Sequence, residues 1–168
     1  MTKRLSNQKI SANLWFDKNA EAAVDFYLGV FRNARKGRVT YYGKEGFEFH
    51  GMPEGAVLTI EFILDGQEFI ALNGGPHFKF NEAISFVINC DTQEEVDYYW
   101  NKLTEGGDPK AQMCGWLKDK FGVSWQVVPT VLADMMDDPD AAKVQQVSAA
   151  VFQMKKLDIA ELEKAFGK

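Results

Sequence analysis

The sequence predicts an α+β fold, two related halves of strands with one helix each, followed by a helical C-terminal stretch, and three observations carry that prediction. Val24-Asp25-Phe26-Tyr27 returns seventy-two residues later as Val96-Asp97-Tyr98-Tyr99, each time in a helical pattern entered from an apolar run. Asp65-Gly66 separates two alternating segments, the signature of a tight hairpin whose turn needs positive backbone angles. Past Pro129 alternation gives way to apolar spacings of three and four. A repeat of about seventy residues exceeds the twenty to fifty of solenoid arrays, so it reads as two half-domains joined into one body. Chance recurrence of a common core pattern is the competing reading.

Ile10 to Phe16 alternates, with Ile10, Ala12, Leu14 and Phe16 on one side and Ser11, Asn13 and Trp15 on the other, as a first strand does. Asp17-Lys18-Asn19 offers capping residues. Ala20 to Phe31 then sets Ala23, Phe26, Tyr27, Val30 and Phe31 on one stripe, which predicts a helix packed on a sheet. Arg38 to Tyr42 is a second strand. Gly43 to Gly55, with four glycines and a proline, is a long loop and a candidate lid. Val57 to Asp65 and Gln67 to Asn73 form the hairpin. Its residues Leu58, Ile60, Phe62 and Leu64 make an apolar face that must be covered, and Val57, Thr59, Glu61 and Ile63 make a mixed face where a ligand could be read.

Asn73 to Asn81 is an irregular, aromatic linker. The second half follows, with Ala83 to Cys90 as strand and Asp91-Thr92-Gln93-Glu94 as a capping box opening a helix that runs to about Thr104. Met113 to Leu117 and Val123 to Val128 are two further short strands. Beyond the paired halves, residues 136–168 read as a helical extension on the same domain. Ala141 to Met154 carries the stripe Val144, Val147, Val151 and Met154, a dimer contact or a cover over the sheet, and Asp158-Ile159-Ala160-Glu161 caps a last short helix.

A chain of 168 residues with 46% apolar residues can bury a core without disulfides. No apolar run nears the ~18 residues of a bilayer span, and the basic, polar start Met1 to Lys9 lacks the apolar core of a secretory signal, so a cytoplasmic, non-membrane protein is expected. A net charge of -5 with scattered basic residues argues against a nucleic-acid partner. Cys90 and Cys114 stand far apart and outside any C-x-x-C, so they read as core residues and not as a disulfide framework or zinc site.

The order strand, helix, several strands, twice over, resembles the vicinal oxygen chelate superfamily, the fold of glyoxalase I, extradiol dioxygenases and bleomycin-resistance proteins, over roughly residues 9 to 130. Four stretches carry a closer resemblance, to the PhnB-like branch. They are Leu14-Trp15-Phe16-Asp17, Ala71-Leu72-Asn73-Gly74-Gly75, Phe80-Asn81-Glu82-Ala83-Ile84-Ser85-Phe86, and Gly115-Trp116-Leu117-Lys118-Asp119 through Trp125-Gln126-Val127-Val128-Pro129. The resemblance implies two βαβββ modules, about 9–75 and 82–130, forming one shared curved mixed sheet, the glyoxalase/bleomycin-resistance/dioxygenase fold. It also implies a homodimer.

Members of that branch often carry the label demethylubiquinone methyltransferase, yet no glycine-rich nucleotide turn of the G-x-G-x-x-G kind occurs here. The superfamily's enzymes hold a divalent metal with His and Glu side chains on the first and last strands of each module. Those positions align, to about one residue, with Ser11 or Ala12, Ala71, Ser85 and Gln126, none of which is a His or a carboxylate. The two histidines, His50 and His77, lie in predicted loops.

No cofactor is therefore expected, and a divalent metal could enter only through an unusual set such as Glu61, Gln126 and His77. The expected cup between the modules is lined by Asn13, Trp15, Thr59, Glu61, Asn73, Ser85, Asn89, Ser124 and Gln126, with Trp116, Phe78 and Phe80 near its rim. Amides and hydroxyls orient a polar molecule while aromatic faces bury its body, so the lining points to a small organic ligand. The alternative is an enzyme of lyase, isomerase or dioxygenase type, metal-dependent or using Glu61 as a proton acceptor.

Overall fold

The computed structural model of the chain describes residues 8–167. Met1 to Asn7, on which most of the signal-segment expectation rests, and Lys168 lie outside the described residues. The chain divides between Lys79 and Phe80 into two compact units.

The first unit runs β1 (Ala12–Phe16), α1 (Ala20–Val30), β2 (Ala34–Tyr41), a single helical turn α2 (Phe47–His50), β3 (Val57–Leu64) and β4 (Gln67–Asn73). Its sheet has the order β1-β4-β3-β2, with β1 parallel to β4 and the other pairs antiparallel. The β3–β4 turn is as the sequence demands: Asp65 and Gly66 both take left-handed angles (φ 44° and 83°), and Leu64 faces Gln67 across it.

The face carrying Leu14, Phe16, Ile60, Phe62, Leu64, Phe69 and Ala71 is buried, and α1 supplies Ala23, Val24, Tyr27 and Val30 on its own buried side. The Tyr27 ring stacks on Phe62 at 6.2 Å between centroids, and Phe62 on Phe69 at 5.3 Å. Removing the Phe62 ring from such a stack costs about 3–5 kcal/mol. Val24, not Phe26, completes the helix stripe, because the buried positions 20, 23, 24, 27 and 30 keep the 3.6-residue period and leave Phe26 at its margin.

Strand β2 begins at Ala34, four residues before the predicted start. A register shift between Lys36 and Val39 breaks its alternation around Gly37, which hides the strand from a period-two reading. The loop from Gly43 closes on β2 where the Gly55 amide donates to the Tyr42 carbonyl and the Tyr42 amide donates to that of Ala56.

The second unit runs β5 (Phe86–Cys90), α3 (Gln93–Thr104), a 3-10 turn at Pro109–Ala111, β6 (Trp116–Lys118), β7 (Ser124–Pro129), α4 (Val131–Met136), α5 (Ala141–Gln153) and α6 (Ile159–Phe166). Its sheet has the order β5-β7-β6, with β5 parallel to β7. Thus each half opens on a strand that pairs in parallel with its last strand, and the repeated tetrapeptide lies on the helix between, with Val24 and Val96 both fully buried.

The described strands form two sheets, one per half, and the second has three strands where the resemblance implies four. The expected strand from Met113 is cut short because Cys114 and Gly115 take left-handed angles (φ 53° and 82°) and fold Met113 back onto Trp116 as an isolated bridge. The capping box of α3 sits one residue later than the sequence suggests: Thr92 Oγ1 accepts from the Glu95 amide, and Glu95 accepts in return from Asp91.

Helices α4 to α6 close on their own core of Met135, Val147, Leu157 and Leu162, with Val151 and Met154 packed against it. Of the C-terminal stripe, Val147 is buried in this core, and Val144, Val151 and Met154 are half-buried. Chain after α5 lies along the β6 turn, where the Cys114 and Gly115 amides donate to the carbonyls of Met154 and Lys155. Gly115 takes a left-handed φ of 82°, and a Cβ there would stand 3.0 Å from the Val127 carbonyl oxygen and 3.1 Å from Leu157, so glycine suits both the turn and the approach of that segment. Among the described residues, no helix is long and apolar enough to cross a membrane.

Candidate functional site

Alternation places Asn13, Trp15, Thr59, Glu61, Ile63, Ile70 and Leu72 on the face of the first sheet turned away from α1. Asn13 is exposed and Trp15 half-buried. The Trp15 indole donates to the Gly75 carbonyl at 2.9 Å, and the Phe78 ring meets it edge-on at 4.8 Å. Gly74 rests against the same indole, since a Cβ there would come within 2.3 Å of the ring. Trp15 is thus fixed at one end of the face by the segment from Gly74 to Phe78, while Phe78 itself stays exposed.

Thr59 shares a hydrogen bond with Thr40, 2.6 Å between hydroxyl oxygens. Glu61 lies on β3, an interior strand, and its carboxylate, 14% exposed, is gripped by Nε and Nη2 of Arg38 on β2. Arg38 and Glu68, which accepts from the Ser11 hydroxyl at 3.1 Å, are polar members of this face that the sequence reading missed. Glu68 was available from its alternation with Ile70 and Leu72, whereas Arg38 lies in the irregular stretch of β2.

Asn73 is a correction. It lies on the α1 side, 2% exposed, and all its side-chain capacity goes to the fold: Oδ1 accepts from the Ala20 amide, and Nδ2 donates to Glu21 and to the Val57 carbonyl. It supplies the N-terminal cap of α1 that Asn19 leaves unmade. Tyr42, whose burial pushes its phenol above the usual range, donates to the Asn73 carbonyl at 2.6 Å.

In the second unit the face away from α3 carries Ser85, Asn89, Trp116, Lys118, Ser124 and Gln126. Gln126 Nε2 donates to Ser85 Oγ at 2.9 Å, and Trp116 is the cross-strand neighbour of Gln126. Lys118 is ion-paired with Glu82. Ser124 is 2% exposed and its hydroxyl has no hydrogen-bond partner among the described residues. Asn89 is exposed, and Phe80 is half-buried near Gly122.

The residues do not suit a divalent cation. Ser85 and Gln126 are bonded to each other, Ser11 to Glu68, and Ala71 faces α1, its open-face neighbours Ile70 and Leu72 being apolar. His50 accepts from the Met52 amide and packs on Tyr42, and His77 is exposed. Among the described residues, no group of three or more His, Cys, Asp or Glu side chains could hold a metal.

Residues 8–128 match the family described as 3-demethylubiquinone-9 3-methyltransferase. The chain belongs to that family, in its PhnB-like form. The PhnB protein of Bacillus cereus, a putative 3-demethylubiquinone-9 3-methyltransferase, is 33% identical over 73% of this chain and all of its own, with a TM-score of 0.61. Protein PA1353 of Pseudomonas aeruginosa is 20% identical over 73% of this chain and 98% of its own, with a TM-score of 0.56. The fosfomycin resistance protein FosX of Listeria monocytogenes, solved with Mn(II) and sulfate, is 13% identical over 79% of this chain and 97% of its own, with a TM-score of 0.52, and shares the vicinal oxygen chelate fold. No curated protein matches the sequence.

The PhnB-like stretch from Gly115 to Pro129 is a structural buckle. Buried Asp119 accepts from the Phe121 and Val123 amides through Oδ1 and from the Trp125 indole through Oδ2, all within 3.1 Å. Three donors compensate the burial of a carboxylate and set the turn into β7, which carries Ser124 and Gln126.

Proposed function

We propose that this PhnB-like protein binds a small, uncharged, partly aromatic organic molecule on its helix-free sheet faces, and that it does so without a catalytic metal. The Ser85–Gln126 hydrogen bond carries this reading: a hydroxyl and an amide occupy two positions where metal-using members of the superfamily carry ligands, and neither is a ligand a divalent cation prefers. Amide and indole side by side, Gln126 with Trp116, suit recognition of a flat polar molecule. Trp15 beside Asn13 and Thr59 offers the same combination in the first half.

A methyl transfer reading has little support from the glycine pairs Gly74-Gly75 and Gly106-Gly107. Gly74 packs on Trp15, and a Cβ on Gly107 would stand 2.2 Å from the Lys118 carbonyl oxygen, so both pairs serve packing. Glu61 as a proton acceptor would first have to leave Arg38.

Titration of metal-stripped protein with nickel, zinc and manganese tests the proposal. Weak, non-stoichiometric binding is expected, and one tightly held ion per chain would overturn it. The homodimer implied by the superfamily belongs to the same proposal. Sedimentation at micromolar concentration should give twice the chain mass, and a monomer would remove it.

A further inference from the structure

On the open face of the second sheet, one polar side chain is both buried and, among the described residues, without a hydrogen-bond partner. Ser85 receives the Gln126 amide hydrogen and Lys118 holds Glu82, but the Ser124 hydroxyl, buried on the same strand as Gln126, bonds to none of the described residues. Native proteins rarely leave such a group unpaired, and each exception calls for a partner or a use. Alanine at this position would fill nearly the same space without the penalty.

We propose, resting on the ligand-binding reading above, that Ser124 and Gln126 together read a neutral hydrogen-bonding edge, one acceptor beside one donor, such as that of a primary amide or a lactam. Gln126 donates through Nε2, so its Oε1 is left to accept from the ligand, while the Ser124 hydroxyl donates to the ligand's carbonyl oxygen. The flat body of the ligand lies over Trp116, the cross-strand neighbour of Gln126. Ser124 pairs across the sheet with Lys118, and that long side chain must shift to admit the ligand to the hydroxyl. The carboxylate of Glu82 neutralises Lys118 on this face, which disfavours anions.

The probe is benzamide, with benzoate and ethylbenzene as controls, followed by the side-chain amide signals of Gln126 and the indole signal of Trp116 in nitrogen-15 NMR. Benzamide should shift both signals saturably, and benzoate should not. Ser124→Ala should weaken benzamide binding about threefold to tenfold, the worth of one neutral hydrogen bond. Its melting temperature should match or exceed that of the wild type, because an unsatisfied hydroxyl has been removed.

Absence of benzamide binding to the wild type, undiminished binding to Ser124→Ala, or a lowered melting temperature of that variant would each overturn the inference. Saturable ethylbenzene binding with no effect of Ser124→Ala would sink the edge-reading role while leaving the small-molecule reading in place. Stoichiometric metal uptake with no binding of any of the three probes would sink both.

Discussion

Asn73 decides more about the first half than any residue of its open face. One side-chain amide closes the N-terminus of α1, holds Glu21 and engages the Val57 carbonyl, all in a site 2% exposed. Asn73→Ala leaves the Ala20 amide and the Val57 carbonyl without those partners and should lower stability by about 2–3 kcal/mol, measured as a reduced urea midpoint with an unchanged slope. Its place was legible. Counting outward from the two-residue turn at Asp65-Gly66 puts Asn73 opposite Leu58, on the apolar face; treating it as lining meant ignoring the register that the turn imposes. Thr59 and Glu61 follow from the same count and do lie on the open face. The partner of Glu61 was not legible, because Arg38 faces it only by virtue of a strand irregularity that no periodicity announces.

Among the elements, α1, α3, the β3–β4 hairpin and α5 could be read from the sequence because their apolar spacing is regular and their ends carry caps or a turn dipeptide. The short β6 could not, since a non-glycine residue at positive φ, Cys114, ends the preceding run with no compositional warning. The C-terminal stripe was visible but its partner was not: amphipathicity says that a face is buried, never against what. The start of α6 and the residues before it are tied to α3 by Gln93, whose side chain donates to the Leu157 carbonyl and accepts from the Ile159 amide, with Lys156 paired to Asp97 beside it. Gln93→Ala should loosen α6 and the residues before it by about 1–2 kcal/mol, seen as faster amide hydrogen exchange at Ile159 and Leu162 while the amides of β3 and β4 keep their protection.

For the whole molecule, the titrating groups bound a pH window. The hydrogen bond from Lys156, then that from Gln93, holds the Asp97 carboxyl below its usual range, and a hydrogen bond from Lys118 does the same for Glu82. A carboxyl depressed in the folded state stabilises it above the unfolded value and ceases to do so as acid protonates it. At the other end, burial, with help from Glu95 and Asp91, pushes the Cys90 thiol up to about 12. The unfolded chain loses that proton from about 9 upward, so the contribution is intact below that pH and drains away as pH climbs toward 12. The melting temperature should therefore be flat between about pH 5 and pH 8.5 and decline on both sides. Folded protein at pH 8 should leave Cys90 unreacted toward a thiol reagent that modifies it at once in denaturant.

The buckle at Asp119 also makes the second half separately visible. With its indole proton tied to a buried carboxylate, Trp125 can trade that proton for deuterium only when the second half opens. Trp15, half-buried and tethered to a loop carbonyl, trades its own whenever the segment from Gly74 to Phe78 lifts away. Two resonances in one spectrum thus separate opening of the second half from local motion of that segment in the first.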